Sequence, residues 1–358
     1  MQKFFGGTEV EVTDNHIIRY QNGEDILQHL TYPLVNTMII ANHLKKRCLR
    51  IYPDSHNSRL ELHFSEIKKL IICENCSMAV DMRDNPYIKE VVIKDGFSGS
   101  INLSRSSVRK ISVGTNCRCD LILENGLNCF EFSAGDVFSG HVRIKDSCFH
   151  KLSVGYYCYA DINLTKIRGR KKINIGDSFR GMLKMSGLSV PRLNIGHDCR
   201  GSIIQQSQNE KEHTKRLRIK DDFAGTLDLS NDGQAEKIEV GSFASGNFNL
   251  LNCRGLKFLK FEDAFSGVAD LSESDIEYVR AGNGCRGRIV VLNCPRLTLL
   301  ELPLNKKGDI TAERNPLRIE LVRGRLSYRF HERGLPLSYF TPFYIVWLRQ
   351  LGRSLRRL

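Results

Sequence analysis

One short string recurs along this chain. An aromatic residue or cysteine, any residue and a small residue follow one another in DGFSGSINL, TNCRCDLIL, DVFSGHVRI, YYCYADINL, DSFRGMLKM, HDCRGSIIQ, DDFAGTLDL, DAFSGVADL and NGCRGRIVV. The first of these positions, the anchor, is Cys76, Phe97, Cys117, Phe138, Cys158, Phe179, Cys199, Phe223, Ala244, Phe265 and Cys285, at gaps of 20 or 21 residues and one of 24. Six and four residues before it stand apolar pairs such as Ile111/Val113, Ile173/Ile175 and Leu217/Ile219. Four and six residues after it stand Ile101/Leu103, Leu121/Leu123 and Leu227/Leu229, with Gln205 the exception in this column. A spacing of two is the period of a strand with one buried face. Each turn therefore holds two short strands joined by two arcs. One such turn cannot bury its apolar face, whereas stacked turns can. The expected fold is all-β: a single-stranded parallel β-solenoid, or β-helix, of about 11–13 turns with ~21 residues per turn. The solenoid is expected over residues 37–316, an N-terminal cap over 1–36, and a C-terminal cap with a basic amphipathic helix over 317–358.

The anchors alternate. Phenylalanine holds every second turn from Phe97, and cysteine, or once Ala244, holds the turns between. Large and small residues in alternate layers fill a narrow core without voids. Cys253 and Cys294, in LNCRGL and LNCPRL, are expected at an inward position on the other arc. Glycine often ends the first strand, as at Gly114, Gly155, Gly196 and Gly241, where it would permit a positive φ. On these residues the chain resembles the right-handed parallel β-helix proteins. LNCRGL and LNCPRL also resemble leucine-rich repeats, but two strand-like pairs per turn, with no helical periodicity between them, favour the β-helix.

Charge is concentrated. The formal net charge is +13. The segment from Arg314 to Leu358 has ten arginines against Glu320 and Glu332. There Thr341–Pro342 reads as a helix start. Phe343, Trp347, Leu351 and Leu355 follow at helical spacing, interleaved with Arg349, Arg353, Arg356 and Arg357. Such a helix can dock on an anionic membrane or a partner, or cap the last turn. The N-terminal MQKFFGGTEVEV has no apolar stretch of the kind a secretory leader carries, so the twelve cysteines are expected to be reduced thiols of a cytoplasmic protein, peripheral at most on the inner face of the membrane.

Catalytic and metal motifs are weak. Asp95, Asp136, Asp177, Asp221 and Asp263 stand two residues before the Phe anchors. Recurring every second turn, they would lie ~10 Å apart, too far for two to share one cation. An Asx-type turn at the corner is the expected role. Cys73, Cys76, Cys117 and Cys119 offer two half-sites for zinc without a second half, so ladder packing is expected and no metal or cofactor is assigned.

The long arc after the second strand carries Arg105, Arg109, Lys110, Lys145, Lys151, Lys166, Arg168, Arg170, Lys171 and Lys172, then Lys211, Lys215 and Arg216. Stacking would gather these into a basic edge suited to a linear polyanion. Arg118, Arg180, Arg200 and Arg286 form a second run behind the anchors. The expected function is non-catalytic: a binding or scaffold protein that engages an acidic glycan, a membrane surface or a partner protein, with nucleic acid possible and not favoured. The alternative is a β-helix lyase or hydrolase acting on polysaccharide. Such an enzyme needs neighbouring outward carboxylates and, usually, exposed aromatics. The outward positions of the second strand supply Asp228 and Asp270, two turns apart.

Overall fold

The computed structural model describes residues 56–126, 129–168, 171–188, 190–206, 214–231 and 235–303. Outside them it describes the strands Gln2–Phe5, Thr8–Val12, Ile17–Tyr20, Met38–Ala41, Cys48–Ile51, Ile310–Glu313, Arg318–Val322 and Arg325–Arg329. The chain forms two compact units, Met1–Ile203 and Ile204–Leu358. Each is a parallel β-solenoid, and no α-helix occurs among the described residues.

In the first unit the strands preceding the anchors build one sheet, the back sheet. It runs through Lys69–Ile72, Glu90–Ile93, Lys110–Val113, Cys129–Ala134, Cys148–Val154, Lys172–Ile175 and Val190–Ile195, each parallel to the next. The strands after the anchors build the front sheet, through His56–Glu61, Ser77–Asp81, Ser98–Asn102, Arg118–Glu124, Ser139–Lys145, Tyr159–Thr165 and Met182–Ser186. In-register pairing stacks like on like. Leu70, Val91, Ile111, Phe132, Leu152, Ile173 and Leu193 form one buried column. Ahead of these sheets, Gln2–Phe5, Thr8–Val12 and Ile17–Tyr20 pair antiparallel, and the last of them pairs parallel with Met38–Ala41.

The second unit repeats the plan. Its back strands are Thr214–Ile219, Lys237–Val240, Phe258–Phe261, Tyr278–Ala281 and Leu299–Pro303. Its front strands are Thr226–Asp228, Asn247–Asn249, Val268–Asp270, Arg288–Leu292 and Ile310–Glu313. Parallel stacking stops where Arg325–Arg329 pairs antiparallel with both Leu299–Pro303 and Arg318–Val322.

All eleven anchors are buried. Cys253 and Cys294 are buried on the other arc, where their thiols donate to Leu229 O at 3.0 Å and Leu271 O at 3.1 Å, each more than a turn earlier in sequence. Ser106 and Ser274 fill the same kind of position, donating to Met82 O at 2.8 Å and Leu271 O at 2.6 Å. A small donor at this arc gives these buried carbonyls a side-chain hydrogen bond.

The corners differ from the local turn that the sequence suggests. The residue just before every anchor has positive φ: Asn75, Gly96, Asn116, Val137, Tyr157, Ser178, Asp198, Asp222, Phe243, Ala264 and Gly284. The glycines three residues before the anchors are not at positive φ. They are required by proximity. Each aspartate of a Phe turn accepts a backbone N–H from the following turn, not from its own. Asp95 takes Thr115 N–H at 2.8 Å, Asp136 takes Tyr156 at 2.8 Å, Asp177 takes His197 at 2.9 Å, Asp221 takes Ser242 at 2.8 Å, and Asp263 takes Asn283 at 2.7 Å. A Cβ on Gly114, Gly155, Gly196, Gly241 or Gly282 would come within 2.2–2.5 Å of the same carboxylate oxygen.

Ten cysteines are free thiols. Cys148 departs from the expectation that all are reduced, because it is disulfide-bonded. Burial pushes the Cys158 and Cys199 thiols up to about 11 and the Cys119 thiol higher still.

Two predictions follow from this packing. Removing one corner acceptor in Asp136→Ala should cost about 1 kcal/mol, read as a lower urea midpoint. Gly155→Ala should cost more. Combining it with Asp136→Ala should not restore stability, because the added Cβ still meets Gly135 C at 2.7 Å; full rescue would show that the carboxylate alone excludes the side chain. A maleimide at neutral pH should label exposed Cys48 and half-buried Cys73 in the native chain and leave the eight buried free thiols unmodified until denaturant is added.

Candidate functional site

Two surfaces of the first unit collect polar chemistry. The first is the N-terminal edge of the back sheet. Register places Lys69, Glu90, Lys110, Glu131, Lys151, Lys172 and Arg192 in one outward column. Lys69 is neutralised by Glu90 at 2.8 Å. Further along, Lys151, Lys172 and Arg192 follow one another with no carboxylate between them, all exposed, at ~4.8 Å per step. One residue earlier, Lys68, Lys89 and Arg109 are exposed in three successive turns.

The residues singled out from sequence fall in different places. Arg109, Lys110, Lys166, Arg168 and Lys172 are exposed. Arg105 is exposed but spent: its Nη2 lies 2.7 Å from Asp84 Oδ2 of the preceding turn, and this bond holds the Asp84 carboxyl below its usual range. Lys171 does not reach the edge, being 5% exposed with its amine donating to Ile167 O. Arg170 lies outside the described residues, as does the whole of the expected C-terminal helix with Phe343, Trp347, Arg349, Leu351, Arg353, Leu355, Arg356 and Arg357. In the second unit Lys215 and Arg216 are exposed. Lys215 Nζ sits 3.9 Å from Glu236, and Arg216 stands opposite Lys237. Of the second arginine run, Arg180 and Arg200 share Asp198 at 2.8 and 3.2 Å. Arg118 makes no ion pair among the described residues.

The second surface is an open groove of about 900 Å³ across the outer face of the front sheet. Small outward residues hollow its near end, where Ser77 and Ser98 are neighbours in one column and Ala79 and Ser100 in the next. Larger groups stand at its far end. In the first column they are Arg118 and Tyr159, with Ser139 between, and in the second Asp120, His141 and Asp161. The floor beneath is backbone at Gly99 and Gly140, whose φ values are +152° and +113°. Beside Gly140 and Gly181 the ladder gives way to side-chain bonds. Asp120 Oδ1 accepts His141 N–H at 3.0 Å, and Asp161 Oδ1 accepts Met182 N–H at 3.0 Å. The ring of His141 stands between the two carboxylates, with Nδ1 3.0 Å from Asp120 Oδ1 and Nε2 4.0 Å from Asp161 Oδ2. Each ring nitrogen thus faces the carboxylate of a neighbouring turn. Tyr156, Tyr157 and Tyr159 are all more than half exposed at the corner beside this row.

Sequence reasoning passed over Asp120, His141 and Asp161. The signal was present: each stands three residues after an anchor in consecutive turns, so they must stack. Asp228 and Asp270, the outward carboxylates it did weigh, serve locally, accepting the N–H groups of Ser230 and Ser272 at 3.0 Å. Among the described residues no group of three His, Cys, Asp or Glu side chains is placed to hold a metal ion. Comparison with known proteins yields no match to this chain, whether among family models, curated proteins or solved structures.

Proposed function

We propose that this chain is a binding protein for a linear acidic polysaccharide, held along the basic edge of the back sheet. The observation that carries the reading is the Lys151–Lys172–Arg192 column. A basic edge can also serve to keep open strands from pairing. That explanation does not fit here, because the strands of Lys151 and Lys172 are hydrogen-bonded on both sides and have no open edge to protect. Three cations at one rigid spacing suit a ligand whose own charges repeat, and the scaffold loses little entropy on binding because the sheet already fixes the backbone beneath them. The formal net charge of +13 adds general attraction for a polyanion.

The test is retention of the full chain on immobilised polygalacturonate as salt is raised, with duplex DNA and phosphatidylserine vesicles as comparison surfaces. Retention at low salt, strongest on the polysaccharide, is the expected result. At about 0.7 kcal/mol per exposed contact, reversing Lys151 and Lys172 to Glu should weaken binding roughly tenfold. Arg105→Ala should change little, since Asp84 already neutralises that arginine. No retention at low salt, or tighter binding to DNA or vesicles than to the polysaccharide, would overturn the proposal.

A further inference from the structure

The front-sheet groove differs in character from the basic edge. Beside Arg118 and the imidazole of His141 the groove carries two carboxylates, Asp120 and Asp161, so it offers no surplus positive charge to a polyanion. Arg59 at its near end is neutralised by Glu61 at 2.7 Å. An extended peptide adding as a strand needs an unpaired edge, and the front strands here are paired on both sides. What the groove does offer is a row of hydroxyls, two fixed carboxylates and exposed aromatic rings.

We propose that this groove binds a linear, uncharged oligosaccharide, with Tyr159 as its stacking platform and Asp120, His141 and Asp161 as the row that accepts and donates hydrogen bonds to the sugar hydroxyls. The reading goes beyond the acidic ligand of the back sheet and concerns a separate face. Three features carry it. The volume of about 900 Å³ lies within the range of ligand sites, and its long direction crosses the strands. Equivalent groups therefore recur at ~4.8 Å, close to the rise of one sugar unit in an extended glycan, so successive units meet successive turns. Each carboxylate has one oxygen held by a backbone N–H of the next turn, at 3.0 Å in both cases, which fixes its orientation before a ligand arrives. The second oxygen of Asp120 is left to accept from a hydroxyl. Finally, Tyr159 is 56% exposed at the groove wall, with Tyr156 and Tyr157 exposed beside it. Aromatic faces presented to solvent in this way match the C–H faces of sugar rings, and the phenol supplies a further hydrogen bond.

The experiment uses the full chain and calorimetric or NMR titration with hexamers of β-1,4-linked glucose, β-1,4-linked N-acetylglucosamine and galacturonate. At least one neutral hexamer should bind. Tyr159→Ala should weaken it roughly tenfold, Tyr159→Phe should keep most of the affinity, and Asp161→Asn should weaken it with the thermal midpoint little changed. Lys151→Glu/Lys172→Glu should leave neutral binding at the wild-type value while it impairs polygalacturonate retention, so the two sites fail independently. Absence of binding by both neutral hexamers at millimolar concentration would overturn the proposal. So would unchanged affinity in Tyr159→Ala and Asp161→Asn, or displacement of the neutral hexamer by galacturonate at the same groove.

Discussion

The structure depends on a reciprocal pair of hydrogen bonds at one corner. In each Phe turn the residue before the anchor has positive φ, which turns its N–H toward the following turn. Gly96, Val137, Ser178, Asp222 and Ala264 donate in this way to the carbonyls of Thr115, Tyr156, His197, Ser242 and Asn283 at 2.7–2.9 Å. The same five acceptors donate their own N–H groups to the aspartate one residue back from the positive-φ position. Each clamp thus closes both backbone polar groups of a corner residue that neither sheet ladder reaches. With the corner fixed, the strands on either side have their register set, and register decides which side chains face in.

The clamp also explains why the repeat is doubled. An aspartate in one turn demands a glycine nineteen or twenty residues later, because any Cβ there would collide with its carboxylate. Gly114, Gly155, Gly196, Gly241 and Gly282 meet that demand. The matching position before the Phe anchors is free of it and carries Lys94, Lys220 and Glu262 as readily as glycine. The rings obey a parallel rule. Gly201, Gly246 and Gly287 sit over the rings of Phe179, Phe223 and Phe265, where a Cβ would come within 2.4–2.7 Å of ring carbon. Bulk and charge in one turn are answered by absence in the next.

The legibility of this chain followed the range of the interaction concerned. The inward ladder could be read because period two within a strand and ~21 residues between turns are both explicit in the apolar residues. The aspartates were recognised as corner residues, but their partners were not, since the donor lies a full turn away and a local Asx turn is the shorter explanation. Glycine was assigned to conformation where the cause is contact. The groove was missed for a related reason. Asp120, His141 and Asp161 are separated by about twenty residues in sequence and become one row only when outward offsets are read down the stack as carefully as inward ones. The basic edge is half legible: Lys151 and Lys172 are in the column, Lys171 is buried, Lys211 lies outside the described residues, and Arg192 joins the column by register alone.

The pairing of aspartate with a distant glycine has a consequence for how such a chain can change length. Losing the Ala244 turn, for example, would lay one phenylalanine layer directly on another and bring Asp221 against Glu262 instead of glycine. Losing or gaining two turns together keeps the alternation of layers. The heritable unit of this architecture is therefore the pair, 41 residues from Cys76 to Cys117, and each outer face would lengthen by whole pairs.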